Sequence, residues 1–155
     1  MNTIVAALDL QGNTNLVVEK ALDMAERLGA ELHLVHVIAP IGTYITSNMV
    51  DPLSGVDTSM LANELDIVES QKVAAQEQLE KIALGLQPKQ MVVKVLIGTV
   101  EEEVANYAQE MNAIMIVAGT HQRRGLARLV YGETSVRILH ESQIPILVVP
   151  TINKK

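Results

Sequence analysis

The chain has 155 residues, a length that suits one domain spanning 1–155. A domain of this size buries on folding roughly 70% of the surface that its unfolded chain exposes. A net charge of −6 and only three aromatic residues argue against a nucleic-acid partner, and the lack of cysteine excludes disulfides, thiolate nucleophiles and thiolate metal sites. No apolar run reaches the roughly 18 residues of a membrane span, and the amino terminus lacks a signal-peptide pattern, so we expect a cytoplasmic protein with no membrane contact.

Five apolar runs of strand length alternate with stretches of helical spacing. Aliphatic residues dominate these runs, which is typical of parallel strands buried on both faces. The runs are Ile4–Leu8, Leu32–Ile38, Met91–Ile97, Ile114–Ala118 and Ile144–Val149. The alternation predicts an α/β fold with a mainly parallel sheet.

Four helices are predicted between these strands. The first begins at Asn13 or Thr14 and ends at Gly29, the second spans about Ser59 to Leu84, the third begins near Thr99, and the fourth spans Gly132 to Glu141. Glu102 stands three residues after Thr99, which is capping-box spacing. The predicted core stripe is Leu16, Val17, Ala21, Met24, Ala25 and Leu28 in the first helix, and Leu61, Leu65, Val68, Val73, Leu79 and Ile82 in the second.

A long connection separates the second strand from the second helix. It runs from Ala39 to Thr58 and contains two prolines and two glycines. About twenty residues without a helical or strand pattern is long for a compact domain, so the segment is either a lid or contact loop, or a disordered surface insertion.

The most informative segment is Gly119-Thr-His-Gln-Arg-Arg-Gly125, which follows the fourth apolar run directly. A strand that ends in glycine and cationic residues before a helix offers backbone N–H groups and positive charge to a phosphate. Asp9 ends the first strand at the same predicted edge of the sheet, where ligands of such folds bind. Asp9 either holds Mg²⁺ or a ribose or adenine edge, or is satisfied by the N–H groups of the first helix.

The other charged and titratable residues carry two interpretations each. The arginines at positions 123, 124 and 128 bind phosphate or belong to a solvated face. Three of the four histidines, His33, His36 and His140, fit satisfied or exposed positions rather than a metal site. The fourth, His121, lies in the glycine loop, but no motif places a nucleophile beside it.

Competing folds fail on particular residues. Only Gly12 follows the first strand where a dinucleotide-binding protein has G-x-G-x-x-G, and a Walker A sequence is absent. A phospho-receiver domain needs a second carboxylate beside Asp9 and an acceptor aspartate after the third strand. The chain has Leu8-Asp9-Leu10 and Ile97-Gly98-Thr99 at those places.

Four segments together resemble the universal stress protein family. They are Ile4-Val-Ala-Ala-Leu-Asp9, the stretch from Ala21 to Val37, the stretch from Asn112 through Gly119-Thr-His, and Ile144-Pro-Ile-Leu-Val-Val-Pro150. The resemblance implies a three-layer sandwich of the adenine nucleotide alpha hydrolase-like type, with a five-stranded parallel sheet in the order 3-2-1-4-5. It also implies a homodimer joined through the last strand, Ile144 to Val149.

ATP-binding members of that family resemble one another in a loop of the form G-x2-G-x9-G-[S/T]. Gly119 and Gly132 match it, whereas Gln122 and Glu133 stand where the second glycine and the hydroxyl are expected. By resemblance, the nucleotide site comprises Ala7, Leu8, Asp9, Val37, Ala118, Gly119, Gln122, Arg123, Gly132, Glu133, Thr134 and Ser135. Magnesium shared between Asp9 and the phosphates is the implied cofactor, together with ATP or AMP.

The resemblance predicts a stress-response regulator or interaction module with a weakened ATP or AMP site and an unidentified protein partner. Two alternatives stay open. The first is a slow Mg-dependent ATPase or nucleotide-cleaving enzyme that uses Asp9 with His121 or Arg123. The second is a dimerisation module without nucleotide, in which Glu133 fills the anion site.

Overall fold

A computed structural model describes residues 2–10, 14–39, 58–86, 91–120 and 133–151, with the side chains of all these except 58–64 and 133–134. The elements in chain order are β1 (Thr3–Ala7), α1 (Thr14–Leu28), β2 (Glu31–Ile38), α2 (Thr58–Leu86), β3 (Met91–Ile97), α3 (Val100–Glu110), β4 (Ala113–Gly119), α4 (Glu133–Glu141) and β5 (Ile146–Val149). The predicted Asn13 cap and the connection between Ala39 and Thr58 lie outside the described residues.

The five strands form one parallel sheet in the order β3-β2-β1-β4-β5. This arrangement confirms the predicted fold class and strand order. The chain moves outward from β1 to β3, then crosses back to β4 on the other side of β1. Such a reversal makes β1 and β4 neighbours whose connections diverge, which is where open α/β sheets bind ligands.

Helices cover both faces of the sheet. On one face α1 and α2 pack against alternate strand residues, among them Ile4, Leu34 and Val117. On the other face α3 and α4 contribute Val104, Tyr107, Ala108 and Ile138 to a second cluster with Val35 and Ile116. Because successive side chains of a strand point to opposite faces, the one aliphatic sheet contributes to a core on each side.

The predicted helix stripes are only partly right. In α1, Val17, Ala21 and Ala25 are buried as predicted and Val18 joins them, whereas the predicted Leu16 and Leu28 are 39% and 46% exposed. In α2, Leu65 and Val73 are 71% and 51% exposed, while Ala75 and Leu79 are buried. The 29 residues of α2 measure about 43 Å, against about 23 Å for the seven-residue strand β3, so the sheet cannot cover the whole helix.

One predicted helix cap and one predicted strand start also need correction. Thr99 is the N-cap of α3, but its side chain makes no capping hydrogen bond, and the Glu103 N–H instead bonds the Thr99 carbonyl at 2.9 Å. The last strand begins at Ile146 rather than Ile144. The Ile144 N–H bonds the Ser142 hydroxyl at 3.0 Å and Pro145 has no N–H, so neither residue donates to the sheet.

Among the described residues, no helix is both long and apolar enough to cross a bilayer.

Candidate functional site

The carboxyl ends of β1 and β4 lie side by side. Ala7 pairs with Ala118 in the parallel register of the two strands. Asp9 follows Ala7 by two residues, and Gly119 follows Ala118 by one, so both predicted site residues belong to one edge of the sheet. The geometric condition on which a shared nucleotide cleft depends is therefore met.

The end of β1 is held in place by its neighbour β2. The Leu8 N–H bonds the Val35 carbonyl at 2.8 Å, and the Leu8 carbonyl lies 2.7 Å from His36 Nδ1. Leu8 is 5% exposed, Ala7 is half-buried and Asp9 is exposed. The chain thus leaves the sheet with its backbone fixed and with Asp9 at an exposed position.

A cleft of about 400 Å³ opens at this edge, between the ends of β1 and β2 and the middle of α2. Its lining includes two predicted site residues, Asp9 and Val37. The other described residues that line it are Leu10, His36, Ile38, Ala39, Gln71, Ala74, Ala75 and Gln78. The four residues of α2 among them could not be predicted, because nothing in the periodicity of that helix indicates which of its turns lies over the strand ends.

Leu10 has a backbone conformation that bulky residues rarely adopt. Its φ is +56°, in the left-handed region, and its half-buried side chain packs against the α1 and α2 core. Leu10 and Gln78 also border a second depression, of about 340 Å³, that includes Lys81. Strained non-glycine residues often occur at ligand sites, where the surrounding fold holds them.

Gly119 has a packing reason to be glycine. A Cβ there would lie 2.9 Å from Val17 Cγ2 and 2.9 Å from Thr151 Cγ2. Both neighbours are β-branched and stiff, so they cannot easily move away. The predicted phosphate glycine is therefore also the point where α1 and the segment after β5 close on the end of β4.

The remaining predicted site residues are only partly described. Glu133 and Thr134 begin α4, and Ser135 beside them is 2% exposed, which leaves little of its surface for a ligand. Ala118 is buried, at 4% exposure, and pairs with Ala7 in the sheet. Gln122, Arg123 and Gly132 lie outside the described residues, as do His121, Arg124 and Arg128.

The described histidines occupy three different environments. His33 is 4% exposed, with Nδ1 at 2.9 Å from the Tyr107 hydroxyl and Nε2 at 3.1 Å from Glu31 Oε2, a contact close enough for an ion pair but without hydrogen-bond geometry. His36 is half-buried in the cleft, and His140 is exposed in the last turn of α4. Within the described part of the chain, no three histidine, aspartate or glutamate side chains converge on a metal position.

The sequence matches the profile of the Universal stress protein family over residues 1–150. The chain belongs to the universal stress protein family. Universal stress protein A homolog 2 of Coxiella burnetii is 27% identical over 147 residues, which cover 94% of this chain and 92% of that protein. The resemblance found in the four sequence segments is confirmed.

Solved structures of universal stress proteins share the fold. UspA from Lactobacillus plantarum superposes with a TM-score of 0.70 at 16% identity, covering 96% of this chain and 97% of the other. A universal stress protein from Archaeoglobus fulgidus in complex with dAMP has a TM-score of 0.58 at 16% identity, covering 96% and 97%. At these identities the comparison establishes the fold alone.

Proposed function

We propose that this universal stress protein binds an adenine nucleotide, ATP or AMP, in the cleft at the carboxyl edge of the sheet. The observation that carries the proposal is the β1–β4 register, which brings Asp9 and Gly119 to one edge beside a cleft of about 400 Å³. The volume is within the range of small-ligand sites. The fold neighbour from Archaeoglobus fulgidus, which is in complex with dAMP, supports the ligand class.

The proposed affinity is weaker than that of family members with the complete glycine loop. Glu133 takes the place of a hydroxyl at the start of α4. A carboxylate about 4 Å from a phosphate charge opposes binding by about 1 kcal/mol in water and about 4 kcal/mol at an intermediate dielectric. Gln122 in place of glycine adds about 1–2 kcal/mol if the loop needs a left-handed residue there.

Magnesium fits this site only as a partner of the nucleotide. The Asp9 carboxylate is a hard oxygen ligand of the kind Mg²⁺ prefers, but the described residues supply no cluster of three ligands for the ion. Phosphate oxygens and water would complete the coordination, and the ion would offset the negative charge of Glu133. Asp9 is then the residue that anchors the metal to the protein.

The proposed role is that of a cytoplasmic stress-response regulator or interaction module, with nucleotide binding as its input and an unidentified protein as its partner. The proposed assembly is a homodimer through β5, which is an edge strand of the described sheet and pairs with β4. Sedimentation equilibrium should give twice the chain mass. A monomer at micromolar concentration would contradict the dimer and leave the nucleotide site untouched.

Isothermal titration calorimetry tests the nucleotide site. ATP and AMP with Mg²⁺ should bind with a Kd between about 10 µM and 1 mM. Submicromolar affinity would contradict the weakened site, and the absence of heat at millimolar ligand would contradict binding altogether.

Two substitutions locate the site. Glu133→Ser should tighten ATP binding by about tenfold, because it removes the opposing carboxylate. Asp9→Asn should abolish the gain in affinity that Mg²⁺ gives, whereas Asp66→Asn, at an exposed aspartate of α2 outside the cleft, should leave it unchanged. Equal Mg²⁺ dependence in both asparagine variants would remove Asp9 from the metal site.

A further inference from the structure

The tautomer of His36 is fixed by the end of β1. His36 Nδ1 lies 2.7 Å from the Leu8 carbonyl oxygen. Because a carbonyl oxygen only accepts hydrogen bonds, Nδ1 must carry the proton. In the neutral ring the other nitrogen, Nε2, then bears a lone pair and can only accept.

Nε2 of His36 has no hydrogen-bond partner among the residues that the structure describes. The ring is half-buried and lines the cleft of about 400 Å³. His33, on the same strand, differs because both of its ring nitrogens have protein groups within 3.1 Å. His36 therefore combines an oriented ring with an acceptor atom that is unpaired within the described ranges of the chain.

The cleft that His36 lines is also lined by four residues of α2. Gln71, Ala74, Ala75 and Gln78 line the cleft from one face of the helix, since residues spaced by three, four and seven lie on one side. The two alanines are small and stand between the two amides. Together with the Asp9 carboxylate, Nε2 gives the strand side of the cleft two hydrogen-bond acceptors. Such acceptors can bind N–H and O–H donors of a ligand.

We propose that His36 is a specificity-determining residue of the nucleotide site, whose Nε2 accepts a hydrogen bond from an N–H or O–H donor of the ligand. The inference rests on the proposed function and adds a residue to it. Two donors of an adenine nucleotide satisfy this chemistry, the amino group of the base and a hydroxyl of the ribose. A base with a carbonyl in place of the amino group would instead set two acceptors against each other.

The test compares His36→Asn with His140→Asn, a matched change at an exposed histidine on α4. The asparagine amide reaches about as far as Nδ1 and can keep the bond to the Leu8 carbonyl, but it has no atom at the Nε2 position. The ligands are AMP, IMP, which lacks the amino group, and 2′-deoxy- and 3′-deoxy-AMP, which each lack one hydroxyl.

His36→Asn should bind AMP about five- to tenfold more weakly than the native chain, and His140→Asn should match the native value. In addition, His36→Asn should no longer bind AMP more tightly than one of the three analogues over which the native chain prefers AMP. Loss of the AMP-over-IMP preference assigns the donor to the amino group, and loss of the preference over a deoxy nucleotide assigns it to that hydroxyl. Native affinity and native preferences in His36→Asn would overturn the inference, whereas failure of the native chain to bind AMP would overturn the proposed function itself.

A second variant leaves β2 unchanged and decides the matter should His36→Asn fold poorly. Ala74→Leu fills the space across the cleft from His36, and Ser70→Leu adds the same side chain at an exposed position of α2 outside the cleft. Ala74→Leu should weaken AMP binding at least tenfold, with Ser70→Leu within twofold of native. Unchanged binding in Ala74→Leu would show that the ligand does not lie between His36 and α2.

Discussion

Replacement of Tyr107 by phenylalanine tests the polar contact at the centre of the second core. The Tyr107 hydroxyl lies 2.9 Å from His33 Nδ1, and the two rings are 5.8 Å apart between centroids. Both residues are buried, at 8% and 4% exposure. Phenylalanine keeps the ring and its packing, so the substitution removes only the hydroxyl.

The expected cost follows from what remains after the hydroxyl is gone. His33 Nδ1 would be left without a partner in a buried position, and a buried polar group without a hydrogen bond costs about 1–3 kcal/mol. In a chain of this length each kcal/mol changes the Tm by about 2–4 °C. Tyr107→Phe should therefore lower the Tm by roughly 2–12 °C.

Urea unfolding followed by circular dichroism measures this cost directly. Asn106→Ala, at an exposed position of the same helix, is the control and should change the free energy of unfolding by no more than about 0.5 kcal/mol. The double variant His33→Leu with Tyr107→Phe should cost less than the sum of the single changes, because the two residues are coupled. A cost of Tyr107→Phe within that 0.5 kcal/mol, or strict additivity, would show that the contact between the hydroxyl and the imidazole does not stabilise the fold.

Three further predictions concern the ionisation of Tyr107, the packing around Gly119 and the backbone conformation of Leu10. Burial, followed by the charges of Glu31 and Glu110, raises the pKa of Tyr107 above 10.0. The contribution of the neutral Tyr107 hydroxyl to stability is therefore complete below pH 10 and is lost as the pH rises through the raised pKa. In that pH range the free energy of unfolding of the native chain should fall more steeply than that of Tyr107→Phe. Gly119→Ala should lower the free energy of unfolding in urea by about 1–3 kcal/mol, because the added Cβ would meet Val17. Gly85→Ala, at a position on α2 with open space around it, should raise that free energy by about 0.5–1 kcal/mol. Equal effects of the two substitutions would contradict the close packing around Gly119. Leu10→Gly should be more stable than Leu10→Ala by about 1 kcal/mol in the same assay, because only glycine tolerates the left-handed φ without strain. The reverse order of stability would contradict the left-handed conformation of Leu10.

The sequence was sufficient to predict the sheet. Continuous aliphatic runs define buried parallel strands, and the family resemblance added the strand order that alternation alone left open. The strand bounds were predicted within one residue except at β5, where Pro145 and the Ser142 hydroxyl delay the start of pairing. Local chemistry of this kind was visible in the sequence, but its effect on the strand was not.

The helix faces were harder to predict because periodicity does not say how far a helix is covered. Leu65 and Val73 fit the helical stripe and are exposed, whereas Ala75 makes the contact with the sheet. The same difficulty hid the cleft, since the positions of Gln71 and Ala74 over the strand ends depend on the register of α2. His36 could have been recognised from its parity on β2 and its place near the strand end, but the sequence pattern was interpreted only as a satisfied or exposed histidine.

The proposed nucleotide site lies at the carboxyl ends of β1, β2 and β4. Amide chemical-shift mapping of the labelled protein during titration with AMP and Mg²⁺ tests it most directly. The largest shifts should occur at Asp9, Val37 and Gly119, with saturation at one common Kd. Saturable binding whose shifts are confined to the opposite edge of the sheet, around Glu31 and His33, would contradict it.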